Sequence, residues 1–153
     1  MLSGHWTYRS YRNLTKLVGE DPQAALALIF AEGVLELHQS GDGRVEGGLG
    51  METGHALRIT GSVATIGNGV GFTLTGEGLD GTATVGWRYD YHGIVGYMWP
   101  NGVDQAPSLL GTVTRVKAHG PNAPAGDTAS FIAVRHGDNP PPRTARPRSS
   151  LLR

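Results

Sequence analysis

Apolar residues in this chain recur at every second position over most of its length. That period places alternate side chains on one face of a β-strand. Residues 33–39 put Leu35 and Leu37 in phase, and residues 45–51 and 56–66 continue the pattern with Leu57, Ile59, Gly61 and Val63. Further segments of this kind are 5–11, 70–75, 82–91, 94–99, 109–118 and 128–135. Turn residues separate them. Asp42-Gly43 and Asn68-Gly69 are hairpin signals, and His92-Gly93 reads as a turn between two strands. Residues 21–30 hold the one helix expected, and the polar loop 100–107 also interrupts the strands. Asp21 is a good N-cap, Pro22 suits the first helical position, and Gln23 to Phe30 are mostly helix formers. This short helix is expected to plug or lid something, because it is too short to stand alone.

Short strands joined by short turns argue against βαβ units. The expected fold is all-β: a closed antiparallel up-and-down barrel of about eight strands, with one short helix inserted after the first strand. Closure removes the unpaired edges that an open meander of this length would expose. An interior of about eight strands is just wide enough for side chains or one small ligand.

Composition agrees. Glycine is abundant, at 24 of 153 residues, and falls between and within the strand segments, where bends and bulges need it. There is no cysteine, so the fold uses neither disulfides nor thiolate ligands. The chain is formally neutral, with nothing global to attract nucleic acid or anionic lipid. No apolar run is long enough for a membrane helix, and no signal peptide is read at the start. A cytoplasmic location is expected. The charge is unevenly spread, however. Residues 137–153 carry Arg143, Arg146, Arg148 and Arg153 against Asp138, with a Pro140-Pro141-Pro142 run. They read as a disordered tail behind a barrel domain of residues 1–136.

Gly4-x-Trp6 opens the first strand and Arg135 ends the last. This resembles the calycin pattern shared by lipocalins and avidins, in which a Gly-x-Trp tryptophan closes one barrel end and a basic side chain from the last strand covers its ring. Arg115 is a second candidate for that cover. The segment order, with an Asp-Gly hairpin and a later Gly86-Trp87 strand, is similar to the avidin–streptavidin branch. That resemblance implies a barrel and a tendency to form homo-oligomers. It does not extend to biotin: the chain has three tryptophans, and no matching set of biotin-bonding polar residues is found.

Chemistry is expected in the lumen. Within residues 82–91 one face carries Ala83, Val85, Trp87, Tyr89 and Tyr91, an aromatic wall with phenolic hydroxyls. Tyr8 and Ser10 share a face with Trp6 on the first strand. The loop 99–107, with Trp99, Asp104 and Gln105, is expected at a barrel mouth. The ligand-binding set is therefore Tyr8, Ser10, Leu35, Trp87, Tyr89, Tyr91, Trp99 and Gln105. Catalytic candidates are Tyr8, Tyr89, His92 and Asp104. Arg9, Glu36, His38, Arg58, Arg88 and Asp90 are assigned to a solvated exterior. The six histidines show no metal-ligand spacing, and no phosphate or dinucleotide motif occurs, so neither metal nor cofactor is expected. Three functions fit these residues. One is a barrel binding a small hydrophobic or amphipathic molecule. The second is an enzyme of cyclase or isomerase type, acting on a small apolar or polyketide-like substrate in the same lumen. The third is an interaction module with a filled barrel.

Overall fold

In the computed structural model, which describes residues 1–136, eight antiparallel strands close into a barrel in which each pairs with its sequence neighbours. The strands are β1 (Gly4–Arg12), β2 (Ile29–Gln39), β3 (Arg44–Met51), β4 (Ala56–Ile66), β5 (Gly69–Gly78), β6 (Arg88–Val95), β7 (Ser108–Arg115) and β8 (Thr128–His136). One helix, α1 (Pro22–Leu26), lies in the β1–β2 connection. The basic tail lies outside the described residues.

The ladder between β1 and β8 closes the barrel and sets Trp6 opposite Arg135. Trp6 is buried at the floor, where its indole Nε1 donates to the Leu2 carbonyl at 2.9 Å. The Arg135 guanidinium carbon lies 5.8 Å from the Trp6 ring centroid, a cation–π contact. Gly4 makes room for it: a Cβ there would stand 3.1 Å from Arg135 Nε, and the glycine holds φ +134°. The expected pairing of Trp6 with Arg135 is therefore found. Arg115 is at the other end.

Above the floor the lumen is packed. Leu35, Leu37, Val45, Leu49, Leu57, Ile59, Phe72, Leu74, Leu109, Val113 and Phe131 are all buried. Several large side chains of this narrow interior lie opposite glycines. Gly47 lies between Leu37 and Ile59 across its two ladders, Gly61 faces Leu74, and Gly111 faces Phe131. A Cβ on Gly47, Gly61 or Gly111 would fall on the carbonyl oxygen of Glu36, Thr73 or His92 of the neighbouring strand. These strands coil so tightly at those points that no side chain fits.

Several local expectations are corrected. The segment 82–86 is not strand. Thr84 is fully buried in a loop, where its Oγ1 donates to the Ala56 carbonyl at 2.8 Å and accepts from Leu79 N at 3.1 Å. Gly86 then takes φ +80°, and pairing with β5 begins only at Arg88. Ala83 and Val85 consequently face solvent. No turn forms at His92-Gly93, because β6 runs through it to Val95 with Gly93 paired to both Phe72 and Gly111. The second hairpin turns at Gly67-Asn68, one residue earlier than expected. Gly67 takes φ +57° at the first central position, as a type II′ turn requires. The helix is capped as expected, with Asp21 Oδ1 accepting from Gln23 N and Ala24 N at 3.0 and 3.1 Å. It ends at Leu26, however, since Ile29 already pairs with Tyr11 as strand. It buries no residue, so it is neither plug nor core element.

The Gly61→Ala variant is expected to lose about 1–3 kcal/mol of stability through overpacking. Gly41→Ala, with nothing within 4 Å of its Cβ, is expected to change little. Urea unfolding of both variants checks this, and equal effects would show that the close strand approach is not limiting.

Candidate functional site

The barrel ends differ in chemistry. Trp6, the hairpins at 40–43 and 67–68, and the long loop 96–107 lie at the closed end. The connections 13–28, 52–55, 79–87 and 116–127 lie at the other. That second end opens into a cup of about 260 Å³.

Its lower wall is phenolic. Tyr8 and Tyr91 stand on facing parts of β1 and β6 with ring centroids 6.2 Å apart, edge to face, and Phe131 packs against both. Both tyrosines are buried yet line the cup. Burial pushes both phenols well above the ordinary tyrosine value, reinforced at Tyr91 by the neighbouring phenols Tyr8 and Tyr89. They are therefore neutral donors at any ordinary pH. The Tyr91 hydroxyl has no hydrogen-bonding partner among the described residues.

The rim is polar and connected. Arg115 extends from the end of β7, in phase with the inward Leu109 and Val113, and is itself buried. Its Nη1 donates to Asp127 Oδ2 at 2.6 Å and to the Pro124 carbonyl at 3.1 Å. Its Nε donates to the Tyr89 hydroxyl at 3.3 Å. The guanidinium carbon lies 5.1 Å from the Phe30 ring centroid. Burial opposes the charge on Arg115, but the bonds to Tyr89 and Asp127 more than offset it, and the group stays a cation.

The Tyr89 oxygen also lies 2.5 Å from His119 Nε2. His119 comes from the β7–β8 connection and stacks on Trp87, with centroids 3.8 Å apart and planes at 11°. The His55 ring lies 5.1 Å from the same indole. Burial, then the positive charge of Arg115, hold the His119 imidazole below the ordinary histidine value, with His55 adding to the effect. Arg115 can only donate, so the Tyr89 oxygen accepts from it, and in the Nδ1-protonated tautomer of His119 the single Tyr89 proton points at Nε2. The chain Arg115–Tyr89–His119 is thus a directed hydrogen-bond relay ending on a neutral base.

Tyr8, Trp87, Tyr89 and Tyr91 are brought together here as expected for a shared wall. Ser10 is buried beside them, its Oγ 3.3 Å from the Ala31 carbonyl, and Leu35 lies in the packed core. The remaining candidates are elsewhere. His92 is exposed on the outer face of β6. Trp99, Asp104 and Gln105 sit in the loop at the closed end, because β6 runs from the open end to the closed end. Gln105 spends its amide on the backbone of Trp99, accepting at 2.6 Å and donating at 2.7 Å, and Asp104 supplies a left-handed residue at φ +54°. Sequence reasoning missed Arg115 as a site residue, although its inward phase on β7 signalled it. It also missed Phe30, Met51, Thr53, His55 and His119, which come mainly from connections without a period.

A wider hollow of about 500 Å³ lies on the outer wall over Gly48 and Gly50, but it is open and gathers no buried polar side chain. Among the described residues, no three His, Cys, Asp or Glu side chains converge as a metal site. No family model, curated protein or solved structure matches the chain, so the cup is read from its own geometry.

Because the folded state holds the His119 value down, the unfolded chain binds more protons below about pH 6.5, and folding weakens as pH falls through that range. Urea midpoints measured from pH 7.5 to 5 are expected to drop more for the wild type than for His119→Gln. Parallel curves would remove His119 from the linkage.

Proposed function

We propose that the open end of the barrel is a binding site for one small, neutral, mostly apolar molecule that carries an oxygen or nitrogen acceptor. The observation that carries this reading is the unbonded Tyr91 hydroxyl at the cup. The Tyr91 side chain is mostly buried and lines an aromatic-walled cavity, and its hydroxyl makes no hydrogen bond to the described residues, so it is free to donate to a molecule in the cup. The size of the cup, about 260 Å³, is near the lower edge of ligand cavities and suits a molecule of one or two rings. Neutrality follows from the charges. Asp127 already balances Arg115, so an anionic ligand would meet no uncompensated cation. The stacked Trp87–His119 pair supplies a flat wall for a ring.

The closed end supports the same reading by analogy. A Gly-x-Trp floor covered by a last-strand arginine is the calycin arrangement, and we read Gly4, Trp6 and Arg135 in that way. A packed floor beneath a polar-rimmed cup suits a binder better than a wholly filled interaction module.

2-Naphthol and 2-tetralone are suitable probes, with 2-naphthoate as the charged control. Titration followed by tryptophan fluorescence is expected to show the neutral pair bound more tightly than the anion. Tyr91→Phe is expected to weaken the neutral probes about 3- to 10-fold, the value of one hydrogen bond. Absence of binding by folded wild-type protein up to millimolar probe, or unchanged affinity in Tyr91→Phe, would overturn the assignment.

A further inference from the structure

The hydrogen bonds at the rim are more directional than ligand retention requires. A binder needs phenols that donate to the ligand. Here one phenol, Tyr89, is instead paired with an imidazole nitrogen, to which it donates in the Nδ1-protonated tautomer, while a buried guanidinium donates to its oxygen. This is the arrangement that makes a weak acid available as a base. Tyr89 nonetheless lines the cup, together with the phenols of Tyr8 and Tyr91. A base and two neutral donors thus face one apolar cavity.

From this geometry we propose that the cup catalyses proton transfer at carbon, namely enolisation and double-bond migration in a small neutral ketone, with Tyr89 as the catalytic residue. The proposal rests on the binding reading above and names its substrate class. His119 and Arg115 are positioning residues that act through Tyr89.

The step balances without any co-reactant. The Tyr89 hydroxyl passes its proton to His119 Nε2, and Arg115 Nε stabilises the phenolate. The phenolate removes a proton from the carbon beside the ketone. The C–H electron pair becomes a C=C bond, and the carbonyl π pair moves onto oxygen. That oxygen accepts from Tyr91 and Tyr8, whose burial keeps them protonated for this purpose. In a β,γ-unsaturated ketone, Tyr89 then delivers the proton to the γ-carbon, where the dienolate pair forms the new C–H bond. The phenolate so regenerated recovers its proton from His119. In a saturated ketone the proton returns to the same carbon, and exchange with solvent is the only net result.

Charge placement favours turnover. The imidazolium formed on His119 faces Arg115 of β7 and His55 of the β3–β4 connection, with Tyr89 of β6 and Trp87 of the β5–β6 connection beside it and Asp127 behind Arg115. Burial and the charge of Arg115 push the proton back toward Tyr89. The return of the proton from His119 to Tyr89, which closes the cycle, is therefore downhill.

Deuterium exchange at the α-carbons of 2-tetralone in D2O, followed by NMR, tests the proposal with the full-length chain. Wild-type protein is expected to accelerate exchange above buffer. Tyr89→Phe is expected to lose at least 100-fold of that acceleration, in line with general acid–base contributions, while binding 2-tetralone within about 10-fold of wild type. His119→Gln retains an amide at the rim and supplies a second variant. The wild-type rate is expected to fall on acidification as His119 protonates, and the residual rate of His119→Gln to be flat over the same range. A purely structural contact would not produce that difference. Binding without exchange, or exchange unaffected by Tyr89→Phe, overturns the catalytic proposal and leaves the binding site standing. No binding of 2-tetralone overturns both.

Discussion

The limited width of an eight-stranded lumen governs this structure. Eight strands leave room for side chains meeting at the axis or for one small ligand. Where the strands approach most closely, large inward residues lie opposite glycines. These glycines sit on the inward faces of β3, β4, β6 and β7, and a Cβ on any of them would strike a neighbouring strand. The high glycine content is thus not chiefly a matter of turns. It lets strands coil closely enough for Leu37, Leu74, Phe72 and Phe131 to share the interior.

The same constraint explains why a cavity exists at only one end. At the floor, Trp6 fills the cross-section and the chain start passes beneath it, with Leu2 N bonded to Gln39 Oε1 at 3.0 Å. At the opposite end the connections are longer and bring polar groups. Arg115 occupies the inward position that follows Leu109, Gly111 and Val113 on β7. A buried guanidinium cannot pack as a leucine would. It must keep its partners, and Asp127, Pro124 and Tyr89 hold it to one side of the axis. The space beside it is the cup. An apolar residue at this position would be free to fold inward and fill that space, so the ion pair maintains the cavity as well as the loop. Such buried pairs contribute little net stability and are better understood as fixing one arrangement.

Much of the barrel was legible in the sequence. Strict alternation marked most strands, because a closed barrel has one wet and one dry face along its whole wall. The Gly4-x-Trp6 and Arg135 pairing was readable for a related reason: first and last strands must meet when the sheet closes. Errors gathered where one residue's local bonding overrides alternation. Residues 82–86 alternate like a strand, yet a buried Thr84 hydroxyl can satisfy backbone groups that a ladder would otherwise take. His92-Gly93 resembles a turn, but the glycine answers the bulk of Phe72. Of the site, the strand-borne tyrosines were visible and the loop-borne histidines were not. His119 has no periodic neighbour to mark its direction, and its role appears only once the β7–β8 connection folds over Trp87.

Two arginines near opposite ends of the barrel show how the same side chain serves different purposes by context. Arg135 leans over Trp6 from outside the packed interior, and its charge remains near water. Losing it would remove one cation–π contact of modest worth. Arg115 is drawn inside, where its charge has value only through its partners. Its Nε points at a phenol that in turn points at a neutral histidine, so the electrostatic effect of the guanidinium is delivered to one oxygen atom in the cup. Sequence position distinguishes the two poorly, since both follow an inward apolar run at the end of a strand. What separates them is the connection that follows: Arg115 leads into a loop that returns an aspartate and a histidine to it, and these convert a buried cation from a structural liability into the organiser of the site.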